Sequence, residues 1–136
     1  LTARVMTYRG RNARYFNIAR KTALCSAQTD YKHGAVLVKG GSVINTSCNK
    51  NRLVSFGSRF CKEHDGIATL HAELGAILGL DRTVTEGATL YVARVGKDGG
   101  FRLSKPCSMC HAAMTYVGIK RVYWTIDDNS CAMGKL

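Results

Sequence analysis

The chain has 136 residues, 46% of them hydrophobic, a single proline, and a formal net charge of +11. This length fits one domain spanning residues 1–136, and the apolar content argues against a disordered chain. No apolar run approaches the ~20 residues that span a bilayer, and the N-terminus lacks a signal-peptide core. Since the cysteines outside the motif described below have no disulfide-scaffold spacing, we interpret them as reduced thiols and expect a cytoplasmic protein, either housekeeping or a toxin or phage-encoded domain.

The positive charge is concentrated in the first half of the chain. Residues 1–62 contain twelve Lys or Arg and one acid, whereas residues 63–136 contain eight of each sign. This asymmetry predicts a surface that binds a polyanion, although a basic surface that only keeps the protein soluble is the alternative. We favour nucleic acid over a free mononucleotide because a broad basic surface neutralises many phosphates.

The first elements form a helix followed by a hairpin. Residues 1–13 predict a basic N-terminal arm, and an apolar stripe predicts a helix from Asn12 to Gln28. A strand at Ala35–Val38, a Gly40-Gly41 turn and a return strand at Ser42–Ser47 then predict a β-hairpin.

A polar, basic stretch follows, from Asn49 to about Thr69, and it lacks a clear period. We interpret it as a long loop, and loops of this length within compact domains tend to be functional. It contains Phe56 and Phe60 among its basic residues, a combination that suits a nucleic-acid strand. Packing of the two phenylalanines onto the core is the alternative.

The second half alternates helices and strands. Short helices are predicted at His71–Leu80 and Cys107–Val117, with strands at Thr89–Val95 and Lys120–Ile126. A glycine-rich basic loop, Gly96–Lys105, precedes the second of these helices. This order predicts an α/β domain.

Two short motifs contain the groups needed for metal chemistry. His71 is followed two residues later by Glu73, and Pro106 directly precedes Cys107, with Cys110 three residues further on. One imidazole and two thiolates can hold zinc and leave its fourth position open, as catalytic sites do. The i,i+3 spacing places both sulfurs on one face of a helix start, where the helix dipole favours thiolates. An isolated C-x-x-C could also be a redox pair or half of a structural zinc site, but a structural site has no use for the glutamate.

The H-x-E and P-C-x-x-C motifs resemble those of the cytidine/deoxycytidylate deaminase superfamily, and the resemblance covers residues from about 14 to 127. It implies a three-layer α-β-α deaminase fold with a central mixed sheet of four to five strands flanked by helices. Any further strand or helix must come from residues 127–136. The P-C-x-x-C form is similar to that of deoxycytidylate, fungal cytosine and tRNA adenosine deaminases, whereas free-cytidine deaminases have P-C-G-x-C.

The resemblance also implies a mechanism and a cofactor, Zn²⁺. The metal ligands would be His71, Cys107 and Cys110, and the ion would lower the pKa of a water molecule from ~16 toward ~7. Glu73 would be the catalytic proton carrier during attack on C4 of cytosine or C6 of adenine.

Four residues are predicted to bind the substrate. The resemblance places Asn49 at the end of the second strand, with Asn51 as a competitor, and gives a base-holding role to the backbone N–H of Ala72. His33 could face the site, although a plain hydrogen-bonded role is favoured. Trp124 could stack on a flanking base, although we interpret it mainly as a core residue.

The segment after Asn49 departs from the family. Deoxycytidylate deaminases usually continue with Gly-Ser-Pro, which weakens a free-nucleotide interpretation, and the tRNA adenosine deaminases have a shorter segment before their histidine. We therefore predict deamination of cytosine to uracil in DNA, single- or double-stranded. The alternatives are a free-nucleotide deoxycytidylate deaminase, a tRNA adenosine deaminase and a non-catalytic nucleic-acid-binding module with structural zinc.

The expected partner is nucleic acid, with DNA favoured and RNA possible, and an oligomer is also possible. The predicted nucleic-acid-binding residues are basic and lie in the N-terminal segment and the two loops: Arg11, Arg14, Lys50, Arg52, Arg59, Lys62, Arg102 and Lys105. A second zinc site could combine the Cys61-to-His64 segment with Cys25 or Cys48, whereas reduced, partly buried thiols are the simpler interpretation.

Overall fold

The computed structural model of the chain describes residues 2–27, 31–53 and 69–136. The helices are α1 (Gly10–Ala23), α2 (Ala72–Ile77), α3 (Arg82–Thr85) and α4 (Ser108–Tyr116). The strands are β1 (Ala3–Thr7), β2 (Lys32–Lys39), β3 (Ser42–Cys48), β4 (Lys50–Leu53), β5 (Thr69–Leu70), β6 (Thr89–Val95), β7 (Phe101–Arg102), β8 (Arg121–Thr125) and β9 (Ser130–Lys135). None of the helices in the described part of the chain is long and apolar enough to cross a membrane.

Seven strands form one mixed sheet. Its order is β1-β9-β8-β6-β2-β3, and β7 pairs with the end of β6. Strands β6 and β8 are parallel, and the other neighbours are antiparallel. Strands β4 and β5 form a separate antiparallel pair. The predicted α/β class, with helices flanking a mixed sheet, is confirmed.

The number of strands and the N-terminal arm differ from the predictions. The main sheet has seven strands instead of four to five, because β1, β7 and β9 add to the strands with a clear hydrophobic pattern. The segment predicted as a basic arm pairs from Ala3 to Thr7 with β9, and α1 already begins at Gly10. Backbone hydrogen bonds hold β1 in the sheet although most of its side chains are exposed. Residues 50–53, predicted as loop, form β4.

Helices cover both faces of the sheet. Successive side chains of a strand point to opposite faces. Accordingly Leu90 and Val92 of β6 pack in the core under α2 and α4, whereas Tyr91 and Ala93 pack under α1. The result is a three-layer arrangement with α1 on one side and both motif-bearing helices on the other.

The contact between α1 and β2 is unusually close at Gly34. A Cβ atom at this position would lie 2.1 Å from the carbonyl oxygen of Ala19 and 2.6 Å from the backbone nitrogen of Ala23. Both neighbours are backbone atoms of a helix and cannot rotate away. The glycine therefore lets α1 lie directly against the sheet.

We expect Gly34→Ala to lower the free energy of unfolding by about 3 kcal/mol, because the methyl group forces helix and sheet apart. The melting temperature, followed by circular dichroism, should fall by about 10 °C. Gly40→Ala is the comparison, since nothing lies within 4 Å of its Cβ and only its φ of +59° is unfavourable. That variant should lose about 1 kcal/mol. Equal losses in the two variants would contradict the close contact.

Candidate metal centre and its surroundings

The two motifs lie at the starts of two helices on the same face of the sheet. His71 is the N-cap of α2 and Cys107 is the N-cap of α4, and both have extended backbone conformations. Neither side chain hydrogen-bonds to the first turn of its own helix. An N-cap side chain that does not cap can point away from its helix, so both side chains are available to a ligand between the helices.

The side chains of His71, Cys107 and Cys110 converge. The Nδ1 atom of His71 lies 3.3 Å from Sγ of Cys110 and 3.8 Å from Sγ of Cys107. Tetrahedral zinc with one nitrogen and two sulfur ligands requires ligand atoms about 3.5 to 3.8 Å apart. Within the described residues this is the one group of three metal-binding side chains, and its ligand atoms all lie within 4.8 Å of one another. The site fits zinc in both ligand type and spacing.

The pKa values of the two cysteines are shifted in opposite directions. The pKa of Cys107 is lowered to about 4, chiefly by a hydrogen bond from Cys110. The same bond, together with burial, raises the pKa of Cys110. His71 has a raised pKa, mainly because of its hydrogen bond with Cys107. A dication bound here would displace these protons and hold both sulfurs as thiolates.

Glu73 lies beside the ligand group without belonging to it. Its side chain is 5% exposed, on the first turn of α2. Burial is the main reason why its pKa is raised, while the neighbouring His71 acts in the opposite direction. A buried carboxyl group with a raised pKa accepts a proton more readily than an exposed one and can pass it on.

Arg94 is a neighbour of His33 that the sequence analysis missed. It lies opposite His33 in the β2–β6 pair, on the sheet face covered by α2 and α4. Its guanidinium lies 4.7 Å from the ring centre of Tyr31, and its buried Nε has no hydrogen-bond partner within the described chain. A sequence feature that could have identified Arg94 is its place on a predicted strand, on the same face as the apolar residues Leu90 and Val92.

His33 is close enough to both Arg94 and the metal ligand His71 for their charges to affect it. Its pKa is lowered, mainly by burial and further by the positive charges of Arg94 and His71. The imidazole is therefore neutral at pH 7 and can accept or donate a hydrogen bond. Its contact with a substrate remains a prediction.

The side-chain amide of Asn49, directly after β3, forms hydrogen bonds with the backbone at the start of β2. Its Nδ2 donates to the carbonyl oxygen of Tyr31 at 2.6 Å, and its Oδ1 accepts from the backbone N–H of His33 at 3.0 Å. An amide has two donors and two lone pairs, so each group can take a second partner. Contact with a substrate remains a prediction for Asn49, and the side chain of Asn51 lies outside the description.

The predicted role of Ala72 depends on its backbone N–H at the start of α2. Ala72 is buried in the first turn of α2, where backbone N–H groups have no partner within the helix. The predicted use of this N–H to hold the base is compatible with that position.

Trp124 is 2% exposed and packs in the core under α2 and α4. The core role favoured for Trp124 is confirmed, because its position on β8 directs it into the sheet–helix interface. Stacking on a base remains a prediction.

The basic residues predicted to bind nucleic acid lie on several different parts of the structure. Arg14 lies 5.6 Å from the ring centre of Tyr15, and Arg102 forms an ion pair with Asp98 at 2.9 Å. Lys50 and Lys105 are exposed, the latter two residues before Cys107. Arg11 is on α1, away from the metal centre. The other predicted basic side chains and the two loop phenylalanines lie outside the description: Arg52, Arg59, Lys62, Phe56 and Phe60.

The hypothesis of a second zinc site cannot be matched to described residues, since Cys61 and His64 lie outside them. The five described cysteines are free thiols. Cys25 is exposed and Cys48 is buried. Neither belongs to a cluster of three metal-binding side chains in the described part of the chain.

Sequence comparison finds a family and a relative. Residues 10–126 match the family described as the cytidine and deoxycytidylate deaminase zinc-binding region. A tRNA-specific adenosine deaminase from Agrobacterium fabrum is 34% identical over 101 residues, which are 70% of this chain and 51% of the relative. The chain thus spans about half the length of the curated relative that it matches.

Solved structures support the fold. A dCMP deaminase from the cyanophage S-TIM5 superimposes with a TM-score of 0.58 at 22% identity, covering 84% of this chain and 81% of the other. A mutant cytidine deaminase from Mycobacterium tuberculosis gives a TM-score of 0.51 at 23% identity, covering 86% and 88%. At these identities the similarity concerns the arrangement of sheet and helices.

Proposed function

Because the chain belongs to the cytidine and deoxycytidylate deaminase zinc-binding family, we propose that it is a zinc-dependent deaminase that converts cytosine to uracil in DNA. The observation that carries this proposal is the convergence of His71, Cys107 and Cys110 with the buried Glu73 beside them. Zinc held there supplies, at neutral pH, a water molecule acidic enough to act as hydroxide.

Glu73 is the proton carrier of this reaction. The C4–N bond of cytosine breaks and a C4–O bond forms, so that one water is consumed and ammonia leaves. The Glu73 carboxylate accepts a proton from the attacking water and delivers it to the ring nitrogen next to C4. It then carries the second proton to the departing amine. The raised pKa of the buried carboxyl group suits this alternation between its two protonation states.

A polynucleotide substrate is supported by charge. The whole net positive charge of +11 belongs to the first 62 residues, as a phosphate-binding surface requires. Arg94, which forms no ion pair within the described residues, adds a cation near His33, where a phosphate attached to the target nucleoside could bind. Cytosine is favoured because the family is described by cytidine and deoxycytidylate.

Adenine in tRNA is the second candidate. The 34% identity to a tRNA-specific adenosine deaminase favours it, although the match covers half of that relative. Both candidates use the same metal centre and the same proton carrier. They differ in the base and in the polymer.

Nucleoside-resolved mass spectrometry of the zinc-loaded protein tests the proposal. The substrates are a mixed-sequence DNA oligonucleotide as single strand and as duplex, a tRNA transcript, and free deoxycytidylate. We expect deoxyuridine to form in the DNA. Inosine in the tRNA would replace the proposal with the second candidate, and conversion of free deoxycytidylate alone would overturn both polymer hypotheses.

A further inference from the structure

A cleft of about 450 Å³ lies at the edge of the sheet where β6 begins. Four basic residues line it: Arg9 and Arg11 at the start of α1, Lys39 at the end of β2, and Arg121 at the start of β8. We refer to it as the cationic cleft. Its four cations come from three parts of the chain that only the fold brings together.

The cationic cleft is separate from the metal centre. Thr89, which begins β6, lines the cleft, whereas Arg94, near the other end of β6, pairs with His33, whose pKa is affected by the metal ligand His71. Five residue steps along a strand correspond to about 17 Å. Tyr91, which also lines the cleft, belongs to the core under α1, on the opposite face of the sheet from α2 and α4.

Its charge is not neutralised by the protein. Among the residues that the structure describes, none that lines the cleft carries a carboxylate. The ion pairs formed within the described residues join Arg82 to Glu86 and Arg102 to Asp98, and so involve none of the four cleft cations. The N-terminus of α1 adds the positive end of its dipole, with no acidic residue in the first turn. Several cations that line one cleft without a carboxylate favour a bound anion.

The walls of the cleft are held in place by hydrogen bonds. Tyr91 donates to Oδ1 of Asn12 at 2.7 Å, and Tyr15 donates to the carbonyl oxygen of Gly41 at 3.0 Å. The rings of Tyr91 and Tyr123 stack with their centres 4.6 Å apart. A cleft whose walls are already ordered loses little conformational entropy when an anion binds.

Three of the residues that line the cleft are glycines, which have no side chain to occupy its space. Gly40, Gly41 and Gly87 line it, and a Cβ atom at any of the three would meet nothing within 4 Å. With a volume of about 450 Å³, the cleft is large enough for more than one phosphate group.

We propose that the cationic cleft binds backbone phosphates of a polynucleotide, at a distance from the nucleotide that enters the metal centre. Lys39 and Arg121 lie on strands separated by β6, so their backbones are about 10 Å apart. At this separation the two side chains can contact different phosphates of one strand. The proposal rests on the proposed function only in taking the substrate to be a polymer. A nucleoside triphosphate has the same phosphate chemistry and is distinguished below.

The test is binding of a labelled 30-nucleotide oligothymidylate, which has no amine to remove, to the zinc-loaded protein over a range of salt concentrations. We expect the double variant Arg11→Ala/Arg121→Ala to bind about 10-fold more weakly than the unmodified protein. The slope of log affinity against log salt should decrease by about 1.4, for two lost phosphate contacts on a single strand.

The matched control is Lys21→Ala/Lys120→Ala, which removes the same charge from α1 and from the residue next to Arg121. Both lysines are exposed and neither lines the cleft. The control should bind within about twofold of the unmodified protein, since only long-range attraction changes. Equal affinity and equal salt slopes in the two double variants would overturn the proposal.

Inorganic tripolyphosphate, titrated calorimetrically, separates the two sources of phosphate. If it binds to the unmodified protein but not to the cleft variant, while oligothymidylate binds equally to both, the cleft serves a free nucleotide and the proposal is wrong. If oligothymidylate binding depends on the cleft but no DNA base is deaminated, the proposed function fails and the cleft proposal stands. Turnover of free deoxycytidylate, if present, should be unchanged in the cleft variant.

Discussion

Glu73→Gln should lower kcat by at least about 1000-fold while the protein keeps one zinc ion per chain. Glutamine has nearly the shape of glutamate and fits the same buried position, but it can neither accept a proton from water nor deliver one to the base. His71, Cys107 and Cys110 are unchanged, so metal binding is preserved. The measurements are steady-state turnover of the substrate identified by mass spectrometry and zinc content per chain.

Thermal unfolding of the same variant separates catalysis from folding. An ionised carboxylate at a buried position is unfavourable, so replacing Glu73 with a neutral amide should not lower the melting temperature. Glu86→Gln is the control, because Glu86 is exposed and its ion pair with Arg82 is long, at 3.9 Å. The control should keep full activity. Turnover by Glu73→Gln within about tenfold of the unmodified enzyme would contradict its role as proton carrier.

Cys110→Ala should abolish stable zinc binding and with it the activity. The substitution leaves one nitrogen and one sulfur ligand, and we expect zinc affinity to fall by more than about 100-fold. Zinc content after dialysis, measured by mass spectrometry of the metal, should drop from one ion per chain to a small fraction. Because bound metal stabilises the folded state, a chelator should lower the melting temperature of the unmodified protein but not that of Cys110→Ala.

Cys131→Ala is the matched control for this substitution. Cys131 is as fully buried as Cys110, but it belongs to the core under α1 and not to the ligand group. Burial raises its pKa to about 11, so it remains a neutral thiol. This variant should lose a little stability through packing and keep its zinc. Zinc retention by Cys110→Ala, or zinc loss by Cys131→Ala, would show that the metal is held elsewhere.

The sequence was most informative where neighbouring residues determine the structure. Strand β6 has the predicted bounds, Thr89–Val95, because its apolar residues are flanked by glycine-containing turns. Both motif helices were predicted with ends within three residues of the observed ones, since His71 and Cys107 start their helices as N-caps. Metal ligation depends on spacing within each motif, so His71, Cys107 and Cys110 could be named in advance.

Elements held mainly by backbone pairing were not predicted. Most side chains of β1 are exposed, so its sequence lacks the alternation that marks a half-buried strand. Its position depends on β9, which lies more than a hundred residues later in the chain. A sequence pattern within one segment cannot contain that information.

The sequence by itself determined the chemistry of the metal centre and the alternation of strands and helices, because both depend on residues close together in the chain. Only the tertiary structure decided that Arg94 lies beside His33 and that Arg11 and Arg121 share one cleft. These properties depend on which strands are neighbours and which face each side chain occupies. Register and strand order arise from long-range packing, which no local pattern specifies.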